Sequence, residues 1–319
     1  MAHLIESTNG KAEIAYAGQT PWHGLGQQLT ANASIDVWRK EAGLDWEARL
    51  SPVVYTTDGQ IYSEMPNQNV IYRSDTSAPL GVVTNRYKVH QPADVLNFFN
   101  TLVQSAGFTL EVAGAIKGGK RIWALANVNR EAVVLQDDAV RGYLLLSTSF
   151  DGTSATVGQF TSIRVVCNNT LSAADREDSL SRVNITHGAS FDASLMRDKL
   201  GLVVGGFDGM MDNYRRLARQ GVSSEYAKQF TNELFPAAYN QQTNTFKESR
   251  GFKRVLELFD GAGMGANSYG VYGTKWGLLN AVTQYIDHER GHNVDTRMNN
   301  AWFGNGDRLK TQAEELLLA

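Results

Sequence analysis

The chain has 319 residues; 42% are hydrophobic, 20% are charged, and the formal net charge is −3. That apolar content builds a sizeable core and excludes disordered, collagen-like and coiled-coil chains. The single cysteine, Cys167, excludes an intrachain disulfide and cysteine-rich zinc motifs.

Residues 1–18 show neither the basic start nor the apolar stretch of a secretory signal. No apolar run reaches the ~20 residues that cross a bilayer, so the expectation is a cytoplasmic protein with no membrane association. Residues 1–81 carry 5 basic and 9 acidic groups and read as irregular and strand-rich. Turns are signalled at Thr57-Asp58-Gly59, Met65-Pro66-Asn67 and Ala78-Pro79, and a short helix starts near Ser34 with Val37 and Trp38. Gln91-Pro92 opens a helix whose apolar positions run from Val95 to Ala106 and which Gly107 stops.

Strands follow. Phe108, Leu110 and Val112 alternate with small or polar residues, and Lys117-Gly118-Gly119-Lys120 reads as a hairpin turn. The next strand sets Ile122, Ala124, Ala126 and Val128 on one face and Arg121, Trp123, Leu125 and Asn127 on the other. Tyr143 to Ser149, Ala155 to Phe160 and Arg164 to Cys167 are further strands, with a turn at Asp151-Gly152. Asn168 or Asn169 then caps a helix through Ala174. The second half reads as helical. Met196, Leu200, Val203, Phe207, Met210, Tyr214 and Leu217 form one stripe. A helix from Ser223 or Ser224 ends before Pro236, another spans Phe252 to Phe259, and Gly261 to Gly273 reads as a flexible glycine-rich connector. Thr274 caps a helix whose apolar positions include Trp276, Leu279, Val282 and Ile286. The expected class is therefore α+β. An antiparallel sheet core with packed helices occupies residues 1–185, and a mainly α-helical region occupies 186–319.

Two patterns point to chemistry. The basic turn Lys117 to Lys120, with Arg121 and Trp123 beyond it, suits a single strand of nucleic acid, because cations meet phosphates while a ring stacks on bases. Arg141 and Arg164 extend the cationic set. The plain alternative is that Trp123 packs inside. The second pattern, His288-Glu289-Arg290-Gly291-His292, matches H-E-x-x-H, in which two histidines one helical turn apart share a zinc ion and the glutamate acts as general base. Gly291 stops a helix and would throw His292 off that face. Cys167 sits among apolar residues and reads as an inert thiol. His3, His23, His90 and His187 are scattered.

Several stretches resemble a family of phage- and plasmid-borne proteins with no assigned activity. They are Ala15-Tyr16-Ala17-Gly18 through Pro21-Trp22-His23-Gly24-Leu25-Gly26; Gly118 to Ala126; Asp151-Gly152-Thr153-Ser154-Ala155; Ile163 to Leu171; and Gly273 to Val282 with Tyr285-Ile286-Asp287-His288. That family often has histidine where this chain has Phe150, and its pattern near His288 is Asp-His at a helix end rather than a protease helix. The order helix, antiparallel strands, helix is also similar to the core of phage single-strand annealing proteins. This second resemblance implies single-stranded DNA held by a homo-oligomeric ring or filament. It implies no cofactor, no nucleotide hydrolysis and no catalytic residue, with a phage exonuclease or a host single-strand-binding protein as further partners. The residues assigned to DNA are Lys117, Lys120, Arg121, Trp123, Arg141 and Arg164. The competing readings are a zinc hydrolase using His288, Glu289 and His292, and a non-enzymatic structural or regulatory factor.

Overall fold

The computed structural model describes residues 7–8, 10–18, 24–31, 33–57, 61–166, 169–172, 182–187, 206–240, 245–291 and 294–319. The chain is an α+β protein with an antiparallel-rich sheet in its first half and helices through its second. A short ribbon, β1 (Ser7–Thr8) with β2 (Lys11–Ala12), precedes β3 (Ile14–Ala17) and β4 (Gln27–Leu29). Helix α1 (Ile35–Glu41) is capped by Ser34, whose hydroxyl accepts from the Val37 amide, and it buries Trp38. Strands β5 (Ala48–Thr57), β6 (Ile61–Arg73) and β7 (Pro79–Thr84) form a three-stranded antiparallel sheet. Helix α2 (Pro92–Ala106) follows, with proline in its first turn and Gly107 as a left-handed C-cap.

The remaining strands are β8 (Thr109–Ile116), β9 (Arg121–Val133), β10 (Ala139–Ser149), β11 (Thr156–Arg164), β12 (Asn169–Ser172) and β13 (Arg182–Ile185). The main sheet runs β12-β11-β10-β9-β8-β3-β4, and β13 also pairs with β11. Only β3 with β4 is parallel among the registers described for this sheet.

Three local expectations need correction. Asn169 starts a strand rather than capping a helix: Arg164 pairs with Asn169 and Thr161 with Ser172, so the backbone groups of β12 are satisfied by the edge of β11. Residues 173 and 174, where that helix was to end, lie outside the described residues. The Met65-Pro66-Asn67 turn signal becomes a bulge inside β6. Pro52 pairs with Asn69 and Val54 already with Glu64, while Asn67 sits at φ 58°. Strand β11 ends at Arg164; Cys167 lies outside the described residues, as do Met196, Leu200 and Val203 of the long apolar stripe.

Two compact units divide the chain. The first draws on residues 1–129, 144–159 and 182–202, the second on 130–143, 160–181 and 203–319. The units interleave in sequence because β9, β10 and β11 each contribute residues to both, so no single cut near residue 185 separates them. In the first unit Val95, Leu96, Phe98 and Phe99 bury one face of α2. The Gln91 side-chain amide makes hydrogen bonds of 2.9 and 3.0 Å with the backbone of Ala48, which ties the start of α2 to β5.

The second unit contains α3 (Phe207–Ala218), α4 (Ser224–Leu234), the ribbon β14 (Ala238–Asn240) with β15 (Thr245–Lys247), α5 (Arg250–Glu257), α6 (Lys275–Gln284), α7 (Val294–Phe303) and α8 (Asn305–Leu318). Helix α6 is its centre, with every residue from Trp276 to Gln284 buried. Its first turn is fixed by the Thr274 hydroxyl, which accepts from the Gly277 amide at 3.1 Å. The Trp276 ring lies 4.7 Å from Tyr214, and its indole donates to Asp138 at 2.7 Å. The other Asp138 oxygen accepts from Arg164 at 2.6 Å, so this buried carboxylate is doubly held. A second buried pair, Lys310 with Asp287 at 3.0 Å, joins α8 to the turn after α6. Among the described residues no helix is long and apolar enough to cross a membrane.

Candidate nucleic-acid interface

The hairpin between β8 and β9 is built as its sequence demands. Ile116 pairs with Arg121, so Lys117 to Lys120 must reverse the chain. Lys117, Gly118 and Gly119 stand at φ 55°, 71° and 86°, which glycine adopts freely and lysine adopts at a cost of ~1–2 kcal/mol. The turn rests on a firm seat. A Cβ at Gly119 would lie 3.1 Å from both the Trp46 ring and the Arg73 guanidinium. Arg73 itself lies 4.8 Å from the Trp46 ring centre and forks onto Glu13 at 2.7 and 2.8 Å, out of solvent. Trp46 meets Phe150 edge-on at 5.2 Å, and the Phe150 amide donates to the Lys120 carbonyl at 2.8 Å. Lys117 and Lys120 are exposed on this anchored tip. Residues 112–130 hold four cations and no carboxylate.

The other residues assigned to DNA sit differently. Trp123 is 2% exposed, Arg121 9% and Arg164 0%. Alternation correctly separates Trp123 from Ile122, but every residue from Arg121 to Ala126 is buried, because both faces of β9 are covered. Trp123 therefore offers no stacking surface. Arg164 is committed to Asp138. Arg141 is partly exposed and pairs with Glu131 at 2.6 Å; like Arg164, it belongs to the second unit. The structure thus leaves Lys117 and Lys120 as the solvent-facing members of the set within the first unit.

The sequence reading missed a neighbouring arrangement. His90 and His187 come together with ring centres 4.4 Å apart, and Tyr87 stacks on His187 at 4.3 Å. A chain of hydrogen bonds joins them. His90 Nδ1 meets the Thr156 hydroxyl at 2.5 Å, Thr156 meets Thr148 at 2.7 Å, and Thr148 meets His187 Nε2 at 3.4 Å. At the far end His187 Nδ1 lies 2.9 Å from the Lys88 carbonyl. A carbonyl only accepts, so His187 carries its proton on Nδ1, and the hydroxyls then donate in sequence toward His187. Burial pushes the His187 pKa down to about 4, keeping the ring neutral near pH 7. The Lys88 amide donates back to the His187 carbonyl, and the Tyr87 hydroxyl donates to the Ser149 carbonyl at 2.6 Å. Burial, with Asp151 nearby, raises the Tyr87 pKa, so it stays a donor. The cluster pins the segment that carries two more exposed cations, Arg86 and Lys88. Its two histidines are far apart in sequence, and the pairing of β13 with β11 sets Ile185, two residues before His187, opposite Thr156.

The zinc pattern does not assemble among the described residues. The turn after α6 ends at Glu289, Arg290 is extended, and Gly291 takes φ 107°, which breaks the helical face. Glu289 is gripped by Arg254 at 2.6 and 3.0 Å. Both oxygens of that carboxylate are taken up by the guanidinium. His292 lies outside the described residues, and among those described no three His, Cys, Asp or Glu side chains cluster to hold a metal.

A family model described as a domain of unknown function, DUF932, matches residues 79–312. No curated protein and no solved structure matches the chain. The matched span takes in the hairpin, the histidine cluster and the second unit up to residue 312.

Proposed function

The chain belongs to the DUF932 family, and from that premise we propose a role read from its own residues: it binds single-stranded DNA and promotes annealing, as an oligomeric protein of phages or other mobile elements in the bacterial cytoplasm. The mechanism is electrostatic and positional. Phosphates lie along exposed cations, base edges stay free to pair, and no nucleotide is hydrolysed. The observation that carries the reading is the anchored hairpin tip with Lys117 and Lys120 exposed and no carboxylate from residue 112 to 130. Arg86 and Lys88, held by the His187 cluster, add two more cations in the same unit. So few charges bind weakly in one protomer. Copies arrayed along one strand multiply the contacts, which is why the proposal includes oligomerisation.

The test is fluorescence anisotropy of a labelled single-stranded oligonucleotide across a salt series. Each phosphate contact contributes ~0.7 to the slope of log affinity against log salt. Lys117→Ala with Lys120→Ala should weaken binding and reduce that slope by about 1.4. A folded double variant with wild-type affinity and slope would remove the hairpin from the interface.

A further inference from the structure

With Trp123 covered, single-strand binding needs rings elsewhere, and the second unit displays them. The glycine-rich loop Gly261–Gly273, expected as a flexible connector, is fastened along its length. The Met264 amide donates to the Gln284 side chain at 2.8 Å, and the buried Arg164 guanidinium donates to the carbonyls of Met264 and Gly265 at 3.2 and 3.4 Å. Gly265 and Gly270 approach their neighbours so closely that a Cβ would lie 2.8 Å from Val166 and 2.6 Å from Leu135. The Thr274 hydroxyl lies 2.9 Å from the carbonyls of both Gly270 and Val271. Alongside, the Val222 amide donates to Gly273 and the Lys275 amide to Gln220, each at 2.9 Å.

This fastened loop buries Val271 at 1% exposure yet leaves Tyr269 68% and Tyr272 65% exposed. Gly273, next to Tyr272, has nothing within 4 Å of where a Cβ would stand, so the space there is open. Residues 261–286 contain no carboxylate, and exposed Arg219 immediately precedes the Gln220 that bonds Lys275. Flat exposed rings on a fastened backbone, in a stretch free of carboxylates, fit unpaired bases on a polyanion.

We propose that Tyr269 and Tyr272 form a base-stacking platform for single-stranded DNA, with Arg219 taking an adjacent phosphate; this rests on the single-strand-binding reading and names its stacking residues. Stacking is insensitive to salt, whereas the lysine contacts are not, so the two contributions separate in one experiment. The 319-residue chain is titrated with labelled oligothymidylate across a salt series as wild type, Tyr269→Ala with Tyr272→Ala, and Tyr269→Phe with Tyr272→Phe. Light scattering is recorded on each. The alanine pair should bind about tenfold or more weakly with an unchanged salt slope, and the phenylalanine pair should bind as wild type does. If wild type binds and the alanine pair binds equally well, the platform is overturned and the single-strand reading stands. If wild type does not bind at all, both fall. If the alanine pair changes the assembled mass while oligonucleotide affinity holds, the surface is a contact between copies, and the platform is again overturned.

Discussion

Lys120 and Trp123 stand three residues apart on one hairpin and have opposite fates. Lys120 sits where the chain reverses and is exposed; Trp123 sits where the strand enters the sheet and is 2% exposed. His187 shows the other consequence of burial, and it can be measured. Its pKa falls from an ordinary 6.5 to about 4 in the folded chain. Between those values the unfolded state holds more protons, so stability falls as pH drops from about 6.5 toward 4 and is flat above that window. The full loss attributable to this one ring is on the order of 3 kcal/mol. Urea unfolding at about pH 7 and pH 4.5 should show wild type losing more stability on acidification than His187→Gln. Equal losses would mean that His187 titrates normally. The turn lysines were legible in the sequence because Gly-Gly between two lysines requires a reversal. The covering of Trp123 was not, since alternation tells which face a side chain takes and not whether a layer lies over it. The meeting of His90 with His187 depends on non-local strand pairing and leaves no local trace.

Among the elements, α6 gives the sharpest prediction. A Cβ at Gly277 would lie 2.0 Å from the Val271 carbonyl oxygen, so either the helix start or the fastened loop must move. Gly277→Ala should cost ~1–3 kcal/mol or more, read as a lowered urea midpoint. Thr274→Ala should cost ~1 kcal/mol through loss of the cap. Gly209→Ala in α3 is the control: nothing lies within 4 Å of the added methyl, and helix propensity favours alanine by ~0.5–1 kcal/mol. Destabilisation by Gly209→Ala matching that of Gly277→Ala would contradict the steric account. Helix starts were readable because capping is local: Ser34, Ser223 and Thr274 all accept from the amide three residues on. Strand β12 was not, because its amides are satisfied by β11 and the same asparagines serve equally as helix caps. The glycine loop was misread for a similar reason. Its glycines signal close approach to Val166 and Leu135 rather than freedom, and those partners lie far away in the chain.

For the whole molecule, the net charge of −3 conceals an uneven distribution. The 112–130 and 261–286 stretches are free of carboxylates, while the 33 acidic residues lie elsewhere. Both stretches fall in the DUF932 span, residues 112–129 in the first compact unit and 261–286 in the second. Function on this account comes from repetition: each 35.1 kDa copy offers a few phosphate contacts and two rings, and an array turns them into a track. The most direct measurement follows two complementary oligonucleotides, carrying donor and acceptor dyes, as they pair in the absence of any nucleotide cofactor. The account predicts that the protein speeds pairing above the spontaneous rate and that the Lys117→Ala, Lys120→Ala variant loses most of that gain. Pairing no faster with the wild-type protein than without it, in dilute salt where phosphate contacts are strongest, would contradict it.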